Sequence, residues 1–165
     1  MIRKTSIHFV TLSFLVLASV PIKAQSGGEQ CAIQITEPQA GQEVPKELTV
    51  KGAATLPPGH HLWIFIRPVK DRTESKWHPQ AEGFVVDPNT HEWEGPAWLD
   101  PQKNAGGLFD VTAAVFSQVQ HTALVQYMAA GPTNNYPAIP MPSTACAASP
   151  LTVRKVKSEE SRNPD

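Results

Sequence analysis

Cysteine is scarce: the 165-residue chain has two, Cys31 and Cys146. So few, so far apart, exclude a paired-cysteine zinc motif and leave one intramolecular disulfide as the available pairing. Long apolar runs are missing beyond the N-terminus. No later stretch approaches the ~20 residues that cross a bilayer of ~30 Å. Catalytic signatures are missing too. There is no Gly-x-Ser-x-Gly elbow, no His-Glu-x-x-His and no Gly-rich phosphate cradle. These absences leave hydrolase, metalloprotease and nucleotide-binding readings without a motif.

The N-terminus has a clear pattern. "MIRKTSIHF" carries Arg3 and Lys4, "VTLSFLVLASV" is an apolar core of signal-peptide length, and "PIKAQ" supplies Pro21 and the small residue Ala24. This reads as a secretory signal over residues 1–24, cut after Ala24. The apolar run is too short for a permanent membrane anchor. Cys31 follows polar "SGGEQ", which argues against lipidation. Residues 25–30 read as a polar spacer, 31–157 as one domain and 158–165 as a disordered tail. The expected destination is the periplasm or the extracellular space, with no stable membrane insertion once the signal is removed.

Basic excess is also lacking. The chain has 14 Lys and Arg against 15 Asp and Glu. The signal holds Arg3, Lys4 and Lys23 and no acid, so the mature chain keeps 11 basic against 15 acidic residues, a net charge of −4. Nucleic-acid binding is dominated by phosphate neutralisation, so no nucleic-acid partner is expected. The one basic cluster, residues 154–157, is followed at once by "SEE" and reads as a solvated strand end. Export places the two cysteines in an oxidising compartment. A Cys31–Cys146 disulfide would join the first strand to the approach to the last, contributing on the order of 4–5 kcal/mol in the chain-entropy model.

What is present is strand chemistry. "CAIQIT" alternates, with Ile33 and Ile35 on one side. "LTVKGAA" puts Leu48 and Val50 inward and Lys51 outward. "HHLWIFIRP" is apolar on both faces. "FVV", "HEWEGPAWL" broken at Gly95-Pro96, "LFDVTAAVF" and "SPLTVRKVK" complete the series. Residues 70–83 read as polar loop with a short edge segment at Trp77. Residues 117–130 lack Gly and Pro, and Phe116, Val119, Ala123, Leu124, Tyr127 and Met128 recur at helical spacing. Gly131-Pro132 would stop that helix.

The doubly apolar strand needs explaining, because a sandwich strand usually keeps one face wet. Three arrangements satisfy it. In the first, Leu62, Ile64 and Ile66 fill the core between sheets while Trp63 and Phe65 lie under the helix or the proline-rich segment after it. In the second the faces are reversed. In the third Trp63 and Phe65 are displayed as a binding patch. The first is the working arrangement.

The skeleton Ile35-x-x-Pro38-x-x-Gly41-x-x-Val44, then Val50-x-Gly52-x-Ala54, resembles the opening of bacterial immunoglobulin-like modules of exported and cell-surface proteins. "HLWIFIRPV" and the closing "LTV" look like the third and last strands of such a module. The resemblance implies a mainly β, immunoglobulin-like antiparallel β-sandwich of about seven strands, here with one short helix inserted before the last strand. Such modules serve adhesion, spacing, carbohydrate contact and protein docking, so the resemblance implies binding without naming a ligand. Gly52 suits a bulge or close backbone approach.

Candidate site residues follow. His60, His61, His78, His91 and His121 are the mature-chain histidines. Neighbours such as His60 and His61 point to opposite faces of a strand, so no metal or other cofactor is expected. Glu92, Glu94, Asp100 and Asp110 are the carboxylates from which a glycosidase pair could be drawn, with no motif in support. The aromatics lead. Trp77, Trp98 and Tyr136 lie beside polar loops, and a flat aromatic flanked by Glu, Asn and Gln can stack on a sugar. Trp77, in polar "SKWHPQ", is the expected exposed member. The expected function is a non-catalytic exported binding module for an unknown protein or glycan. The alternatives are a carbohydrate-binding protein using Trp77, Trp98 and Tyr136, and a metal-binding protein or metal-dependent enzyme.

Overall fold

The alternation read along residues 47–55 places β3 (Glu47–Thr55) between β1 (Ala32–Glu37) and β6 (Glu92–Trp98) in a three-stranded antiparallel sheet. The computed structural model describes residues 30–80, 84–99 and 106–156. The signal, the spacer apart from Gln30, the tail and Asp100 lie outside the described residues. A second, larger sheet runs β2 (Glu43–Val44), β10 (Leu151–Lys155), β7 (Leu108–Ser117), β4 (His60–Pro68), β5 (Lys76–Pro79) and β8 (Ile139–Pro140). β9 (Cys146–Ala147) pairs with β7 at Ala114 and Val115, beyond β10, which pairs with Leu108–Val111 of that strand. All described pairings are antiparallel except β10 with β2. The fold is therefore a mainly β, antiparallel sandwich. Among the described residues, seven strands have four residues or more; β2, β8 and β9 are two-residue pieces.

Leu62, Ile64 and Ile66 of β4 join Val50, Trp93, Phe109, Val111 and Val153 in the core between the sheets. Trp63 and Phe65, on the other face, form a second core with Trp77, Ala114, Phe116 and Leu124. The 17-residue helix α1 (Gln118–Asn134) covers that second core, with Met141 and Ile139 of the following segment at its margin. The strand is apolar on both faces because it is the middle of three layers. Trp63 and Phe65 are both fully buried, each stabilising the fold by roughly 2–3 kcal/mol through removal from water.

Several sequence expectations change. α1 runs through Gly131-Pro132 and ends at Asn135, whose φ of 60° is left-handed and whose N–H bonds to the Gly131 carbonyl. Pro132 sits in the last turn, where the helix is about to end anyway. The buried helix stripe is Leu124 with partly buried His121, Val125 and Met128, while Val119 and Ala123 face solvent. "FVV" forms no strand; Phe84 makes an isolated bridge to Leu62. Residues 69–74 form a 3-10 helix and Lys76–Pro79 a strand, so the described part of the polar stretch is regular structure rather than loop. In the basic cluster, Arg154 is exposed but Lys155 is buried.

β6 is not broken at Gly95-Pro96. It is an edge strand, and its Trp98 N–H bonds to the Gln80 side chain on the side away from β3. Pro96, two residues earlier, has its nitrogen on that same free side, where no ladder bond is lost. A Cβ at Gly95 would collide with the Phe84 ring. Gly52 is required for the same kind of reason. A side chain there would run into the Gln34 carbonyl and the Trp93 indole, beside an irregularity in the β1–β3 register.

Cys31 and Cys146 are joined, 115 residues apart in sequence. Cys31 precedes β1 of the small sheet and Cys146 begins β9 on the large one, so the bond staples one layer to the other.

Candidate functional site

Strand periodicity decides what each outer face displays. On β6 the burial alternates strictly, leaving Glu92, Glu94, Pro96 and Trp98 outward. Their partners across β3 are Ala53, Lys51, Thr49 and Glu47. Lys51 also reaches Glu37 of β1 at 3.2 Å, an exposed pair of small energetic weight. The outer face of the small sheet is thus a polar, mainly acidic surface. Among the described residues no element lies across it.

Trp98 stands at one end of this face. It is 42% exposed, whereas Trp63, Trp77 and Trp93 are all buried. Near the other end is an open cleft lined by Glu37, Lys51, Asp87, Glu92 and Glu94, with Val85 exposed beside it. Asp87 shapes that end. The backbone N–H groups of Asn89 and Thr90 donate to its carboxylate at 2.7 and 3.1 Å. Those bonds hold its carboxyl below the usual range, so the turn keeps its negative charge.

The three aromatics singled out in the sequence do not converge. Trp77 is in β5, buried under the Arg67 guanidinium, which sits 4.1 Å from the ring centroid. The expectation of an exposed Trp77 is overturned: the cover comes from the neighbouring strand. Tyr136 is 39% exposed, about as much as Trp98, but belongs to another layer, at the C-terminal end of α1. Its ring lies against Gly131 and meets Tyr127 edge-on at 6.4 Å. Burial, with the nearby Tyr136, pushes the Tyr127 hydroxyl up, and that hydroxyl donates to the Pro137 carbonyl. Only Trp98 stands on the open sheet face. No sequence motif marks Glu37, Glu47 or Lys51 as site residues, although the alternation of β3 puts Lys51 outward.

Of the carboxylates, Glu92 and Glu94 share the open face, whereas Asp110 is on the opposite side of the molecule. It is buried on the outer face of β7 and engaged by three partners. Arg72 donates through Nε and Nη2 at 2.8 and 2.6 Å, Arg67 through Nε at 3.2 Å and Thr152 through its hydroxyl at 2.8 Å. Burial alone would push the Asp110 carboxyl up. The bonds from Arg72, Thr152 and Arg67 outweigh it and hold the group below the usual carboxylate range. The same bonds push the Arg72 guanidinium up. The network pins the 3-10 helix over the end of the second core.

The histidines are dispersed. His60 Nδ1 lies 3.1 Å from the Pro58 carbonyl oxygen, His78 Nδ1 3.2 Å from that of Tyr136, and His91 is in an exposed turn. His61 and His121 stack with ring centroids 3.8 Å apart. Among the described residues no group of three His, Cys, Asp or Glu is placed to hold a metal ion. The open face can stack an apolar surface on the Trp98 indole and accept hydrogen bonds or cations at its carboxylates. Neither a protein-family model nor a curated protein matches this sequence.

Proposed function

We propose that the chain is an exported, non-catalytic binding module of the immunoglobulin-like kind, and that it docks its ligand on the outer face of the β1–β3–β6 sheet. One observation carries this reading. Of four tryptophans, the single exposed one stands on the one sheet face that nothing described covers. Core burial does not account for an indole left 42% exposed, and aromatics are enriched where proteins bind. Export is supported by the N-terminal signal pattern and the Cys31–Cys146 bond. No helix among the described residues is long and apolar enough to cross a membrane. The immunoglobulin-like assignment rests on the Ile35, Pro38, Gly41, Val44 skeleton leading into a sandwich.

The ligand is a protein or a glycan. Trp98, across from Glu47 and next but one to Pro96, favours the glycan reading, since a pyranose stacks on indole while carboxylates take its hydroxyls. The test is an oligosaccharide array probed with the mature chain, repeated with Trp98→Ala and Tyr136→Ala. Binding lost in the first variant and kept in the second supports the proposal. Glycan binding that survives Trp98→Ala removes the face from the account. Polysaccharide hydrolysis lost on changing Glu92 or Glu94 overturns the non-catalytic reading.

A further inference from the structure

We propose that the seating of α1 on the large sheet is an acid-sensitive latch, opened when His121 takes up a proton. The Trp63 indole N–H donates to His121 Nδ1 at 3.1 Å. An indole nitrogen can only donate, so Nδ1 must carry a lone pair and the neutral ring holds its proton on Nε2. An imidazolium carries protons on both nitrogens. A second proton on His121 therefore goes to Nδ1, and two N–H donors then point at each other. The hydrogen bond between helix and sheet cannot survive that step.

The neighbour makes the step harder to absorb. His61 of β4 stacks on His121 with ring centroids 3.8 Å apart and planes 11° from parallel. Its own Nε2 meets the Gln118 side-chain oxygen at 2.8 Å, a bond that protonation preserves. If both rings are charged, two cations lie face to face at that distance. Among the described residues, His61 is the titratable group in ring contact with His121. From β7 the packed side chains are Ala114 and Phe116, which do not titrate. His60 is turned towards the Pro58 carbonyl. On α1 itself, Gln118, which meets His61, and Leu124, which joins the same core as Trp63, carry no charge.

Imidazoles change charge between about pH 5 and 8. The latch thus works where Asp87, Asp110 and Arg72 keep their charges. Trp63 lies beneath it, and Leu124, one turn further along, seals the same core. Losing the latch frees the first turns of α1 and gives solvent a path to the apolar outer face of β4, while the disulfide and the small sheet are untouched.

The experiment uses the full mature chain labelled with nitrogen-15, titrated from pH 7.5 to 5.0. The Trp63 indole N–H resonance should move with the same midpoint as the His121 ring. Amide exchange over residues 118–125, corrected for intrinsic rate, should quicken roughly tenfold, as expected for the loss of one hydrogen bond, while β3 and β6 stay constant. In His121→Gln, whose side-chain oxygen can accept the same N–H without titrating, both changes should vanish. A Trp63 resonance and helix exchange that stay flat across the range in the unaltered chain overturn the proposal, whether or not the variant folds. Changes of equal size in a folded His121→Gln also overturn it.

Discussion

The two outer faces of this sandwich are built from the same strand alternation and reach opposite ends. On the large sheet the outward residues of β4 are His61, Trp63, Phe65 and Arg67, and everything apolar among them is buried beneath α1. On the small sheet the outward residues of β6 are Glu92, Glu94, Pro96 and Trp98, and all are exposed. Each of these two strands carries an outward tryptophan. One is in a second core with polar contacts at its two margins, His61 with His121 and Arg67 with Asp110. The other is 42% exposed, beside carboxylates. The difference teaches where structure stops and binding begins: a covered aromatic is explained by packing, an uncovered one is not.

The comparison can be strained at several points. The largest effect should come from cutting the staple between the layers. Replacing Cys31 and Cys146 together with serine is expected to cost about 4–5 kcal/mol, since the bond closes 115 residues, and denaturant unfolding measures it. Next, Trp63→Ala should cost about 3–5 kcal/mol because it opens a large cavity in a fully buried site. A loss below about 1 kcal/mol in the same unfolding assay would show that the large sheet's outer face is not truly closed.

Asp110→Asn should cost about 2–3 kcal/mol, less than a fully enclosed ion pair because Arg72 remains half-exposed. Its pH dependence has a definite sign. The Asp110 carboxyl is held below its unfolded value, so its contribution is complete above about pH 4 and fades as the pH falls towards the folded value. Thermal melts at pH 7 and pH 3 should therefore show the variant and the parent converging in acid. Smallest of all for stability, Trp98→Ala should change unfolding by less than about 0.5 kcal/mol, as an exposed position does. Its effect belongs to ligand binding, read by titration calorimetry.

Much of the covered side was legible in the sequence. A nine-residue strand with Leu62, Ile64 and Ile66 on one face and Trp63 and Phe65 on the other demands a layer on each side. The disulfide followed from having only two cysteines, and the tight approach at Gly52 from a glycine inside a strand. The misreadings have physical causes. Trp77 sits in a polar run, and nothing local announces that Arg67 will fold over its ring. The face of α1 was shifted because the helix carries no Asp, Glu, Lys or Arg to mark its wet side, and because inward-facing His121 reads as a polar residue. Gly95-Pro96 signals a turn in isolation, yet a free edge needs no N–H from Pro96 and Phe84 needs the space at Gly95. On the open face, Trp98 was legible as an aromatic and Glu92 and Glu94 as neighbours. Their company with Glu47, Lys51 and Glu37 needs the β1–β3–β6 register.

Hydroxyl-radical footprinting of the mature, oxidised chain, read tryptophan by tryptophan in a mass spectrometer, tests the contrast between the two faces most directly. Trp98 should be oxidised readily while Trp63, Trp77 and Trp93 react far more slowly. Oxidation of Trp63 as fast as that of Trp98 would contradict the account, because it would mean that the large sheet's outer face is open and the proposed division between packing face and binding face does not exist.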